Sequence, residues 1–176
     1  MILRISKYNP SFRTNGIYQK QEWTSVFDIG RSYSGKRFTK KEYLETELRY
    51  VDCLLEIVSY CGKKPIIIDY EQHKELPLIK ALFFSISLGD PWYYFKKSNW
   101  KRGEILTSTD ARRFIIDCLR EKCWGVLQLG TLWIDFGYDY YVHLQTQKPT
   151  EDIENIIRKQ GLYYERLTIK SQGQKR

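Results

Sequence analysis

The chain has 176 residues, of which 42% are hydrophobic and 15% aromatic, and its net charge is +8. This length suits one domain with a sizeable core, and the content of large apolar side chains excludes a disordered chain. No apolar run reaches the roughly 18 residues of a membrane-spanning helix, and the N-terminus lacks the pattern of a signal peptide. We therefore expect a cytoplasmic globular protein that does not enter a membrane.

The positive charge raises the question of nucleic acid. The excess of lysine and arginine is spread almost evenly along the chain, from the first sixty residues to the last seventy. A nucleic-acid footprint usually concentrates its basic residues in one face or segment. The charge pattern therefore gives no support of its own to a nucleic-acid-binding protein.

The N-terminal third predicts a short strand, an irregular leader and a long helix. Ile2, Leu3 and Ile5 predict the strand. The leader that follows is rich in aromatic residues and turns. From Lys40 to Tyr60 the apolar residues share one helical face, with Thr39 as the N-cap and Gly62 as the stop. We expect the leader aromatics to pack against this helix.

The middle of the chain is less regular. Residues 65–70 contain three consecutive isoleucines and predict a buried strand. Residues 75–88 are ambiguous in their pattern, although Leu76, Ile79, Leu82, Phe83 and Ile86 fit the apolar stripe of a helix. The aromatic–basic segment, residues 92–102, then places five aromatic and four basic residues in eleven positions.

The C-terminal part predicts two helices and several strands. One helix is capped by Ser108, and its core positions are Ala111, Phe114, Ile115, Cys118 and Leu119. Residues 124–146 predict two or three antiparallel strands, followed by a helix from Thr150 and a strand over residues 162–169. The order of elements predicts the α+β class, a mainly antiparallel sheet with three to four helices packed on it. We expect one domain over residues 1–170 and a polar tail over residues 171–176.

Catalytic and metal-binding patterns are weak. His143 lies on the polar side of a predicted strand with Asp135 on the neighbouring strand, but a general base also needs a positioned substrate pocket. The four cysteines form no Cys-x-x-Cys pair and are expected as buried free thiols rather than zinc ligands. We therefore expect no enzyme, no metal and no cofactor.

The aromatic–basic segment has three interpretations. Its aromatics could stack bases beside its cations, anchor a protein partner, or fill gaps in the core. If it binds a partner, the anchors are Trp92, Tyr93, Tyr94 and Trp100, with Lys96, Lys97, Lys101 and Arg102 supplying charge complementarity. Replacing Trp92, Tyr93 and Trp100 by alanine is then expected to weaken binding and leave the fold intact.

Five short motifs carry a resemblance to a known family: Lys7–Pro10, Glu22–Ser25, Asp28–Gly30, Thr39–Tyr43 and Phe136–Tyr141. Together they resemble immunity proteins of bacterial contact-dependent growth inhibition and related polymorphic toxin systems. The resemblance covers roughly residues 1–60 and 130–165, and leaves residues 63–105 unmatched.

The resemblance implies a non-enzymatic protein that binds one toxin domain and blocks its active site or its access to substrate. The toxin it implies is a nuclease, in particular an EndoU-type ribonuclease. Because the chain is basic, the toxin would offer an acidic face, or the contact would depend on aromatics and local acids. The alternative to this function is a protein that binds single-stranded nucleic acid.

Overall fold

The computed structural model describes residues 1–73, 76–147 and 149–167. Its strands are β1 (Ile2–Ser6), β2 (Arg13–Thr14), β3 (Ile17–Tyr18), β4 (Ser32–Tyr33), β5 (Lys36–Arg37), β6 (Ile66–Gln72), β7 (Cys123–Leu129), β8 (Leu132–Phe136), β9 (Val142–Gln145) and β10 (Tyr163–Leu167). Six of them form one antiparallel sheet in the order β10-β1-β9-β8-β7-β6. The four shortest strands pair as two small hairpins in the leader, β2 with β3 and β4 with β5.

The α-helices of the described residues are α1 (Lys40–Cys61), α2 (Leu78–Leu88), α3 (Ser108–Leu119) and α4 (Glu151–Lys159). α1 begins with a reciprocal capping box between Thr39 and Glu42 and ends at Gly62, which has a φ of 61°. It packs against both α3 and α4. The single α+β domain with a mainly antiparallel sheet is therefore confirmed. Across the described ranges, no helix is both long and apolar enough to cross a membrane.

The alternation along the strands explains which side of the sheet carries the helices. Strand register aligns one row of fully buried apolar residues across five strands: Leu3, Leu144, Ile134, Leu127 and Ile67. Successive side chains of a strand point to opposite sides of the sheet. The neighbouring row is therefore polar on the other side, and it runs through Glu165, Arg4, His143 and Asp135.

Local predictions fare differently along the chain. The predicted strand over residues 65–70 exists, but it is the edge strand β6, and in β6 only Ile67 is buried. A β-bulge after Ile67 interrupts the pairing of β6 with β7. On its other side, β6 forms a short bridge with residues 103–106. The N-cap of α3 is Thr107 rather than Ser108, because the Thr107 hydroxyl accepts a hydrogen bond from the backbone amide of Asp110. The predicted tail and the end of the last strand lie outside the described residues.

The α2 helix is confirmed, but its orientation was not anticipated. The predicted stripe points mostly outward: Ile79, Leu82, Phe83 and Ile86 are exposed. The opposite side packs on the domain through Ala81, Phe84, Ser85 and Leu88. The helix therefore has an apolar inner side and an apolar outer side.

Candidate protein-binding site

The aromatic–basic segment lies between α2 and α3 and is fastened by one carboxylate. Asp117 of α3 accepts hydrogen bonds from Tyr93 Oη at 2.6 Å, Ser98 Oγ at 3.0 Å and Trp100 Nε1 at 2.9 Å. The Asp117 side chain is buried, and hydrogen bonds to an ionised acceptor are among the strongest in proteins. Asp117 therefore holds the segment at three points along its length.

Two of the predicted anchors point into the domain. Burial raises the pKa of Tyr93 and Tyr94 well above the ordinary value, and Asp117 adds to the effect at Tyr93. The Tyr94 hydroxyl donates to the Arg120 carbonyl at 2.9 Å, and the Tyr94 amide donates to Ser85 Oγ at 3.1 Å. These tyrosines fill the gap between α2 and α3, which is the core interpretation of the segment.

The two tryptophans of the segment have opposite environments. Trp100 is partly buried and packs edge-on against Phe114 at 5.6 Å between ring centroids. Trp92 is 64% exposed and touches the exposed Phe95 ring at 5.9 Å. Because Tyr93 and Trp100 both donate to Asp117, the triple alanine replacement would also perturb the fold, contrary to the sequence-based expectation. Of these three residues, Trp92 is the one whose replacement can test a contact with a partner without removing a hydrogen bond to Asp117.

The four predicted cations all lie on the surface. Lys96 pairs with Asp90 at 3.2 Å, Arg102 pairs with Asp69, and Lys97 and Lys101 are exposed. Lys96 and Lys97 line an open basin of about 540 Å³ together with Lys122 and Arg113, and Asp117 also contributes to its wall. The segment thus presents cations outward and most of its aromatic rings inward.

A row of exposed apolar side chains lies on the neighbouring helix. The outer side chains of Leu78, Ile79, Leu82, Phe83 and Ile86 are between 44% and 84% exposed, and we call them the α2 face. A helix that is apolar all round is normally buried on every side. The signal was present in the sequence, because residues 78–88 carry a single charge, Lys80. Periodicity alone could not say which side would face out.

Trp92 lies close to the C-terminal end of α2. The Tyr94 amide touches the Ser85 side chain, so the loop after α2 folds back onto the helix. Trp92 is two residues from Tyr94, which is no more than about 7 Å of extended chain. Because Ser85 lies in the last turn of α2, this contact places the exposed side chains of Trp92 and Phe95 near the C-terminal end of the helix.

The groups considered for catalysis lie elsewhere. His143 faces Asp135 on β8 and Arg4 on β1, as the strand register requires. Burial lowers the pKa of His143, with Asp135 acting in the opposite direction and Arg4 in the same direction. His73 Nδ1 lies 2.8 Å from the Glu121 carbonyl oxygen. A narrow cavity of about 30 Å³ beside His73 has room for about one water, which is too little for a substrate.

The cysteines lie mostly in the interior of the domain. Cys53, Cys118 and Cys123 are buried free thiols, and burial raises the pKa of Cys53 to about 12. Within residues 1–73, 76–147 and 149–167, no three His, Cys, Asp or Glu side chains cluster as metal ligands would. The geometry of these groups is that of a packed interior.

Three of the five motifs that carry the resemblance contribute rings to one aromatic cluster, namely Glu22–Ser25, Thr39–Tyr43 and Phe136–Tyr141. Trp23 stacks on Phe38 at 4.4 Å, and it contacts Tyr140 at 4.9 Å and Tyr43 of α1 at 5.8 Å. The Tyr50 hydroxyl of α1 donates to the Tyr140 carbonyl at 2.6 Å. The leader aromatics thus pack against the long helix, as expected. This cluster is part of the packed interior.

No protein-family model, no curated protein and no solved structure matches the chain. What the chain binds therefore has to be inferred from its own surface.

Proposed function

We propose that this chain is an immunity protein that binds one bacterial toxin domain and neutralises it. The toxin is a nuclease, in the first place an EndoU-type ribonuclease, and binding blocks its active site or its access to RNA. The observation that carries the proposal is the α2 face, five large apolar side chains exposed on one helix. Exposed apolar patches of this kind mark protein interaction sites.

Two further features support a binding protein. Trp92 stands exposed near the C-terminal end of α2, and tryptophan is among the residues most often found at the energetic centre of an interface. The family resemblance of the leader and of residues 136–141 supplies the class of partner. The scaffold that carries the resemblance and the surface that would bind are separate parts of the chain.

The test is binding to the toxin domain expected at the C-terminus of the protein encoded immediately upstream. We expect the purified chain and that domain to form an equimolar complex in calorimetry. Trp92→Ala is expected to weaken the complex by about tenfold or more, because a buried interface tryptophan is a frequent hot spot. Tyr138→Ala is the matched control, since Tyr138 is also exposed but lies in the hairpin between β8 and β9.

A protein that binds single-stranded nucleic acid is the second candidate. The observation in its favour is that Trp92 and Phe95 are exposed beside Lys96, Lys97, Lys101 and Arg102. It predicts binding of a labelled oligonucleotide that falls steeply between about 50 mM and about 200 mM salt. Since Tyr93, Tyr94 and Trp100 are turned inward, few rings remain for stacking, and we expect no binding even at low salt.

A further inference from the structure

The α2 helix uses only part of its apolar surface to hold itself on the domain. Its inner residues contact the core, with Phe84 against Phe27 at 4.8 Å between ring centroids. Its outer residues follow the spacing i, i+1, i+4, i+5 and i+8, which places them along one side of the helix. Four of them, Ile79, Leu82, Phe83 and Ile86, have the spacing i, i+3, i+4 and i+7 of the anchors with which a helix enters a groove of a partner.

The size of the α2 face sets what can cover it. Its exposed area is on the order of several hundred Å², the upper end of what a monomer leaves open to water. A stable interface buries about 800 Å² on each partner. The α2 face therefore forms the centre of such an interface, and Trp92, Phe95 and the polar side chains around them complete it.

Among the residues that the structure describes, a lysine lies near each end of α2. Lys80 is the single charged residue of α2, and its Nζ lies 4.6 Å from the Phe27 ring centroid. At the other end of the helix, the Lys40 side chain lies close to Gly89. Its Nζ is 3.7 Å from the position that a Cβ atom on Gly89 would occupy. The nearby carboxylate of Asp90 is paired with Lys96. A complementary surface therefore carries carboxylates around an apolar centre.

These charges also disfavour a second copy of this chain as the occupant. A two-fold contact presents the same patch on both sides, so Lys80 and Lys40 would approach the same lysines of the other copy. A membrane surface is disfavoured as well, because helices that lie on membranes carry several cations on a solvated polar side. The second side of α2 is instead packed on the domain.

We propose that α2 docks by its outer side into an apolar groove of the toxin domain whose rim is acidic. This inference rests on the proposed function and names the surface and the chemistry of its partner. The lysines near α2 fit such a contact, since the toxin side supplies the acids. The aromatic–basic segment then lies at the edge of the contact, with Trp92 nearest its centre.

The experiment compares Leu82→Gln with Leu48→Gln in calorimetry against the toxin domain. Both leucines lie on helices and are similarly exposed, 44% for Leu82 and 48% for Leu48. We expect Leu82→Gln to weaken binding by about tenfold or more and Leu48→Gln to leave it unchanged. Lys80→Gln should weaken binding severalfold at low salt and much less at high salt, because added ions screen the charges.

The outcomes separate the inference from the function. If the wild-type chain binds the toxin domain and Leu82→Gln binds equally well, the docking surface is wrong and the function stands. If the wild-type chain does not bind the domain, both fall. Two other results would also overturn the proposal. One is that light scattering shows a wild-type dimer which Leu82→Gln dissociates. The other is that the wild type binds anionic phosphatidylserine vesicles and Leu82→Gln abolishes this binding. Equal urea midpoints for both variants show that the fold is intact.

Discussion

Asp117 is the residue on which the loop between α2 and α3 depends. Its carboxylate accepts from Tyr93, Ser98 and Trp100. Asp117→Ala should lower the free energy of unfolding by about 2–3 kcal/mol, since buried donors would lose a charged acceptor. Urea unfolding measures the loss.

Asp52→Ala is the control for this prediction. Asp52 forms an exposed ion pair with Arg112 at 3.6 Å, and such pairs contribute little. We expect a change of no more than about 0.5 kcal/mol. Equal urea midpoints for Asp117→Ala and the wild type would show that Asp117 does not hold the loop.

His143 makes stability depend on pH in a defined direction. Burial lowers its pKa below the ordinary value of 6.5, while Asp135 and Arg4 face it from the neighbouring strands. Below pH 6.5 the unfolded chain therefore takes up a proton more readily than the folded chain, and stability is lost as pH falls through the folded pKa.

His143→Gln removes this contribution. From about pH 8 to about pH 5, the wild type should lose more unfolding free energy than the variant, as measured by urea titration. Both proteins contain the same carboxylates, so the difference between their unfolding free energies isolates the contribution of His143. Parallel pH profiles for both proteins would contradict the assignment.

At the scale of the element, α2 offers two adjacent phenylalanines with opposite environments. Phe84 is 6% exposed and Phe83 is 55% exposed. Phe84→Ala should cost about 3 kcal/mol of stability through the cavity it leaves, and Phe83→Ala no more than about 1 kcal/mol. Thermal and urea unfolding of both variants measure the difference. A larger loss for Phe83→Ala would mean that the helix sits the other way round.

The contact between α3 and β7 depends on a glycine. A Cβ at Gly125 would overlap the Phe114 ring of α3 and stand 3.1 Å from the Asp69 carbonyl oxygen. Gly125→Ala should therefore cost about 1–3 kcal/mol by overpacking. The same change in a Phe114→Leu background should cost less, which a double-mutant cycle measures. A cost that does not depend on residue 114 would place the strain elsewhere.

At the scale of the whole molecule, local patterns were readable from sequence and long-range ones were not. The α1 helix, with Thr39 and Gly62 at its ends, follows from spacing and capping residues close together in the chain. The position of β1 between β9 and β10 depends on pairing Leu3 with Leu144 and with Arg166, far away in sequence. The predicted anchors Tyr93 and Trp100 look like surface residues until Asp117 is placed beside them.

The outward side of α2 could not be read from sequence for a different reason. Both sides of the helix are apolar, and the predicted stripe contained Phe83 rather than Phe84, so hydrophobic periodicity did not identify the side that packs inward. Only the packing of Phe84 on Phe27 and of Tyr94 on Ser85 decides which side turns inward. What remains exposed is the surface on which the proposed function depends.

The most direct test of that function is a titration of toxin activity. The upstream toxin domain is assayed for cleavage of a fluorescent RNA while the purified chain is added. The account predicts that cleavage stops at an equimolar ratio, and that Leu82→Gln requires about tenfold more protein whereas Leu48→Gln behaves as the wild type. Undiminished RNA cleavage in an excess of the wild-type chain would contradict it.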